Sequence, residues 1–269
     1  MKLISKAIIL LGVSSYCFAG TANIAPAGNN LANSANWFLN LQGGVYKAKM
    51  GESVTTVNNG SDLPSPLDRD IYTANNPNTA ALLAVQAGLR WQLSHAVLSA
   101  FSLGIQYQHF FTSHINGQVM QYSLPEFTNY NYEWQTASNL ALVNAKFNFM
   151  EYQRFSPYIN GGIGIKYNTN SKYTEFALPE VTPRISPAYG NNSSTRFAWI
   201  VGAGLDYRFN QQFIINAGYQ YSGLGKSSSA AGASSWATQH LNYGDYHANA
   251  FLLGLTYLFD TGRAVSYQK

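Results

Sequence analysis

Eight stretches of this chain alternate apolar and polar side chains, and the connections between them alternate short and long. A period of two is the mark of a strand whose two faces meet different surroundings. The stretches are "WFLNLQGGVYKA" (37–48), "ALLAVQAGLRWQL" (81–93), "VLSAFSLGIQYQHF" (97–110) and "SNLALVNAKFNF" (138–149), followed by "SPYINGGIGIKYN" (156–168), "RFAWIVGAGLDYRF" (196–209), "QFIINAGYQY" (212–221) and "NAFLLGLTYLF" (249–259). The sixth is the clearest. Phe197, Trp199, Val201, Leu205, Tyr207 and Phe209 share one face, against Arg196, Gly202, Gly204, Asp206 and Arg208 on the other.

The connections after the second, fourth and sixth stretches are short, around "SHA", "MEYQR" and "NQ". Those after the first, third, fifth and seventh run to roughly 20–30 residues and are rich in Asn, Ser, Gly and Pro. Short turns on one rim and long loops on the other are the arrangement of a bacterial outer-membrane barrel, with turns periplasmic and loops extracellular. The even strand count returns both ends of the barrel to the periplasm. The predicted fold is therefore an all-β, antiparallel up-and-down transmembrane barrel of eight strands.

Composition agrees. Charged residues are only 10% of the 269, against about 25% in soluble domains. The 19 tyrosines and 15 phenylalanines suit a wall with aromatic girdles, and the mean hydropathy of -0.14 is what alternating faces average to. The start, "MKLISKAIILLGVSSYCFAG", reads as a secretory signal: Lys2 and Lys6, an apolar core, then small residues. Removing it after Ala19 takes away Cys17, the only cysteine, and lowers the formal charge from +4 to about +2. That excludes disulfide and thiol chemistry in the mature chain and gives no basis for nucleic-acid binding. The expected organisation is a signal at 1–19, a periplasmic segment at 20–35, the barrel at 36–260 and a short periplasmic tail at 261–269.

The fifth stretch shows how such a strand works. Ile159, Ile163, Ile165 and Tyr167 face lipid, and the glycines on the other face, Gly162 and Gly164, leave room for bulky neighbours in a narrow interior. Lys166 points inward, because a polar interior tolerates charge and lipid does not.

On these residues the chain resembles the OmpA-like and opacity-protein family of eight-stranded outer-membrane barrels. "SPYINGGIGIKY" is similar to the family's Pro-Tyr and Gly-rich strand, and "GAGLDYRF" and "GLTYLF" carry the same likeness. The resemblance implies that Gly254, Tyr257 and Phe259 form the closing-strand signal read by the barrel-assembly machinery, and that outer-membrane lipid is the surrounding partner.

The inward charges form the first candidate site: Arg90, Lys146, Lys166, Asp206 and Arg208 as a lumen network. Two readings of it stay open, a packed polar plug and a narrow pore for ions or small solutes. Neither His247 with Asp245 nor His109 with Ser113 and His114 sits in a recognisable enzyme motif, and His240 with His247 is weak evidence for metal. The chain is expected to be no enzyme and to need no cofactor. The second candidate site lies in the loops at 50–80, 111–135, 168–195 and 222–247, expected to be exposed. There Tyr122, Tyr130, Trp134, Tyr189 and Trp236 are candidates for contact with a host or surface ligand, since loops on a rigid scaffold commonly carry binding.

Overall fold

The computed structural model describes residues 35–259 except 76 and 94–96. The expected signal at 1–19, nearly all of the segment at 20–35, the tail at 261–269 and the connection at 94–96 lie outside the described residues.

Ten strands follow one another: β1 (Ala35–Met50), β2 (Val54–Asn58), β3 (Arg69–Ala74), β4 (Ala80–Gln92), β5 (Leu98–Met120), β6 (Thr128–Phe149), β7 (Phe155–Ala177), β8 (Asn192–Arg208), β9 (Phe213–Ser228) and β10 (Asn242–Leu258). Eight of them, β1 and β4 to β10, pair antiparallel with their neighbours, and β10 returns to β1 to close the ring. Closure leaves no strand edge unpaired within the membrane, which hydrocarbon requires. The remaining two strands form a hairpin in which β2 pairs with β3. That hairpin pairs through β3 with residues 117–120 of β5, continuing the wall above the end of β4.

The outward side chains across the middle of the wall are apolar and exposed, among them Ile105 at 69%, Leu253 at 67% and Ile163 at 62%. In water such a surface would drive association; in a bilayer it is the lipid-facing belt. Aromatic rings in contact mark its periplasmic edge: Trp91, Phe101 and Phe147 on β4 to β6, Phe155 with Tyr207, and Phe213 with Tyr257 and Phe259.

The periplasmic ends of the strands match the sequence reading closely, whereas the extracellular ends overrun it. β5 and β7 each have 23 residues and β6 has 22, about twice the 9–11 a tilted membrane strand needs. Much of what was expected to be exposed loop is therefore a β-built crown. Outside the crown water replaces lipid, so its apolar side chains turn inward. On β5 the turn occurs at a bulge between Phe110 and Ser113. Below it Leu103, Ile105 and Tyr107 point out; above it Ile115 and Val119 are buried, and Asn116 and Gln118 are exposed. A one-residue shift exchanges the two faces of a strand. β6 reaches the same result without a shift: its inward positions change from Asn148, Lys146 and Asn144 near the periplasm to Trp134, Tyr132 and Tyr130 in the crown. With Tyr46, Met50, Val57, Tyr72, Tyr189, Leu241 and Tyr243 they form a single apolar core.

Candidate functional site

The lumen is packed rather than open. Lys146 Nζ lies 2.6 Å from Asp206 Oδ1, and Asn148 Nδ2 donates to Asp206 Oδ2 at 2.8 Å. Arg90 Nη1 donates to Asn148 Oδ1 at 2.8 Å and to Ser102 Oγ at 3.1 Å. The Tyr158 ring sits 3.8 Å from Lys146 Nζ and fills space above Gly204 and Gly218, where a Cβ at either position would meet its hydroxyl. The cavity left beside this layer, lined by Asn40, Gln86 and Arg90 among others, measures about 30 Å³, room for one or two waters.

The five predicted lumen charges do not form one network. Arg90, Lys146 and Asp206 are linked through Asn148. Arg208 instead reaches the periplasmic rim, where its Nη2 donates to Glu151 Oε2 at 2.8 Å. Lys166 stands apart, fully buried, with the Tyr246 ring 5.8 Å from its Nζ and no hydrogen-bond partner among the described residues. The short β6–β7 turn that places Glu151 beside Arg208 has no signature in the strand alternation.

The crown is tied together by Arg184, in the extended segment between β7 and β8. Its Nε donates to Glu175 Oε1 at 2.8 Å and its Nη2 to Glu175 Oε2 at 3.2 Å, a bidentate pair. Nη1 donates to Asp70 Oδ2 at 2.5 Å and Nη2 to the Tyr72 hydroxyl at 3.1 Å. Asp70 also accepts from the Tyr122 backbone N–H at 3.1 Å and from Asn59 Nδ2 at 3.2 Å. Burial opposes the guanidinium charge, but the hydrogen bonds it donates to Glu175 and Asp70 and the surrounding negative charge hold its pKa above the ordinary arginine value. Three separate segments are thus clamped by one side chain. Sequence reasoning missed Arg184, Asp70 and Glu175. Nothing in the alternation marks them: Asp70 ends the charged run Asp68-Arg69-Asp70, Glu175 follows Lys172 by three residues, and Arg184 stands between Pro183 and Pro187.

Above the clamp lies an open groove of about 390 Å³, lined by Tyr122, Trp236, Ile185, Asn59 and Ser61 with Arg184 and Asp70 at its floor. The Trp236 ring stacks 5.1 Å from the Arg184 guanidinium. Gly60, at φ 75°, brings the first loop against Trp236 so closely that a Cβ there would overlap the tryptophan. Of the five predicted contact aromatics, the groove brings Tyr122 and Trp236 together, both half-buried. The other three are corrected. Tyr130, Trp134 and Tyr189 are 3%, 2% and 4% exposed and face the crown core. Tyr130 donates its hydroxyl to Thr182 O at 3.0 Å, Trp134 packs on Tyr243 and Tyr189 packs on Tyr72 and Tyr173. They are buried because a crown standing in water must hide its rings, unlike the wall below.

The histidine sets are not assembled either. His109 Nδ1 pairs with Asn139 Oδ1 at 2.7 Å, His114 with Glu133, and His247 stacks on Tyr221. Ser113 is buried within the wall, on the opposite face from its neighbour His114. Among the described residues no group of three His, Cys, Asp or Glu could hold a metal ion.

Residues 99–259 match the family model described as outer membrane protein beta-barrel domain. The outer membrane protein PagN of Salmonella typhimurium is 30% identical over 135 residues, 48% of this chain and 53% of the relative; the chain spans about half the length of this curated relative. Among solved structures, Neisserial surface protein A is 10% identical, with 84% of this chain and 99% of that one covered and a TM-score of 0.41. OprG of Pseudomonas aeruginosa is 15% identical, with 84% and 97% covered and a TM-score of 0.43. A closed ring with a lipid-facing belt and a family match over most of that ring lead to one conclusion: the chain belongs to the outer membrane protein beta-barrel domain family and resides in the outer membrane.

Proposed function

We propose that this protein is a surface-exposed barrel that contributes to membrane integrity and presents its crown to a host or surface ligand. The observation that carries this reading is the groove holding Tyr122 and Trp236. It is an aromatic-lined, polar-floored concavity held by a buried charge clamp, on a part of the molecule that crossing the membrane does not require. Rigid aromatic contacts lose little entropy on binding, and a pre-formed concavity spares the cost of ordering loops. The packed lumen favours this over the alternative of a pore.

The test compares adherence to host cells of bacteria displaying the native chain, Trp236→Ala with Tyr122→Ala, and Ile185→Ser. Surface display is matched by antibody against an appended tag. Loss of adherence in the groove variants at equal display supports the reading; unchanged adherence removes it. The closing-strand signal belongs to the same proposal. Tyr257 packs its ring against Phe259, 4.9 Å between centroids, an outward aromatic pair at the barrel's last strand that the assembly machinery would meet, with Gly254 three residues earlier.

A further inference from the structure

Lysine and arginine are unevenly distributed around the outside of the wall. On each strand the outward apolar series ends at a definite residue on the extracellular side: Val45 on β1, Phe251 on β10, Tyr221 on β9 and Phe197 on β8. Just beyond these ends stand Lys47 and Lys49, His247 and Arg196, with Lys226 five residues past Tyr221 across the irregular end of β9. Arg196 lies opposite the inward Lys166 in register but is itself exposed. The two lysines of β1 and the two cations of β8 and β9 are all exposed. None of the four belongs to an ion pair among the described residues. On β4 to β7 the equivalent positions are Ala81, His109, Asn139 and Thr169, and no lysine or arginine follows on those strands until Lys172.

The cations are also joined by a groove. Regular pairing of β8 with β9 ends at Trp199 and Gly223, and β9 shifts register against β10 just beyond. Gly225 takes φ 61°, with the Phe197 carbonyl beside it. The result is an outward groove of about 490 Å³ in which Arg196, Lys226 and His247 stand above Trp199 and Phe197, with Asp245 as its one acid. Register carries the patch onward, since Lys49 lies opposite His247 and Lys47 opposite Asn249.

We propose that this side of the wall, β8–β9–β10–β1, binds the phosphate head group of an outer-leaflet lipid, whose acyl chains lie along Phe197, Trp199, Phe251 and Val45. The patch sits where the apolar belt stops, which is the depth of lipid head groups. Four exposed cations with one acid among them match a lipid carrying several negative charges. General anchoring by interfacial lysines would serve every strand. Here Lys47 and Lys49 of β1, Lys226 of β9 and Arg196 of β8 flank His247 of β10, while β4, β5 and β6 carry no lysine or arginine above the belt and β7 carries only Lys172. The proposal is independent of the crown groove, which lies on the extracellular end rather than the side.

The test uses the full mature barrel refolded in detergent, with folding checked by heat-modifiable migration. Bisphosphorylated lipid A and dephosphorylated lipid A are titrated against it and retained lipid is read by native mass spectrometry. The native barrel is expected to retain the phosphorylated form selectively. Each cation at an anionic membrane surface contributes about fivefold to affinity. Lys47→Gln, Lys49→Gln, Arg196→Gln and Lys226→Gln together are therefore expected to weaken retention by on the order of a hundredfold or more. If that variant fails the folding check, Arg196→Gln with Lys226→Gln is used, with a loss of about twenty-fivefold expected on the same basis. The control replaces Arg69 of the crown and Arg154 of the periplasmic β6–β7 turn, both exposed, with glutamine and is expected to bind as the native chain does. Equal retention of both lipids, unchanged retention by the wall variants, an equal loss in the control, or displacement by inorganic phosphate as effective as by the lipid would each overturn the proposal.

Discussion

Single residues hold the crown and the lumen by the same device, a buried charge surrounded by partners, and each can be tested by removing one side. Replacing Arg184 with Gln leaves Glu175 and Asp70 facing each other, both nearly excluded from solvent at 2% and 1% side-chain exposure. Breaking a buried pair costs about 3–5 kcal/mol, so the crown should become protease-sensitive between residues 178 and 191 while the barrel still migrates as folded. Arg184→Lys should rescue little, because an ammonium cannot make the planar two-point contact with Glu175. In the lumen Asp206→Asn strands Lys146. A loss of about 3–5 kcal/mol is expected in urea unfolding from lipid vesicles, and Lys146→Met added to Asp206→Leu should recover most of it. Asp206 and its cations were legible in the sequence because they interrupt an alternating strand. Arg184 was not, since its two acids lie 114 and 9 residues away in segments with no periodicity to place them.

Whole elements were legible only where their surroundings are uniform. The periplasmic halves of all eight ring strands lie in lipid with a polar interior, so one rule, apolar out and polar in, finds them. The upper halves of β5, β6 and β7 obey the reverse rule, and bulges such as that at Phe110 to Ser113 break the count at the crossover. The same inversion explains Tyr130 and Trp134, which read as exposed contact residues and are core. It also makes the crown sensitive to alkali. Burial pushes Tyr72 well above the ordinary tyrosine value of 10.0 and Tyr189 up to about 12. A phenol whose folded pKa is raised favours folding in its neutral form. Its contribution is complete below the unfolded value of 10 and is lost as the pH rises through about 12. Tyrosinate absorbance should accordingly develop in two stages, the exposed rings first and the crown rings together with the onset of protease sensitivity. The β2–β3 hairpin closes the crown along β5, so replacing residues 52–75 with a short Gly-Ser link should lower the pH of that second stage.

At the scale of the molecule, the two halves make one prediction that neither makes alone. An eight-stranded ring encloses little more than its own side chains, and this one is filled twice. Near the periplasm Tyr158, Lys146, Asp206 and Arg90 occupy the lumen and leave about 30 Å³. In the crown Tyr72, Tyr132, Trp134 and Tyr243 close the other end as an apolar core. A solute would have to displace a hydrogen-bonded charge layer and then a packed aromatic layer. Loosening one should leave the other shut. The native chain in a planar bilayer is expected to give no discrete conductance, and so are Lys146→Ala with Asp206→Ala and, separately, the hairpin replacement. Steps should emerge only when both changes are combined, with the cation side chains left in the lumen favouring anions. Stable steps from the native chain would instead make the lumen the functional site, and the crown groove would lose its main support.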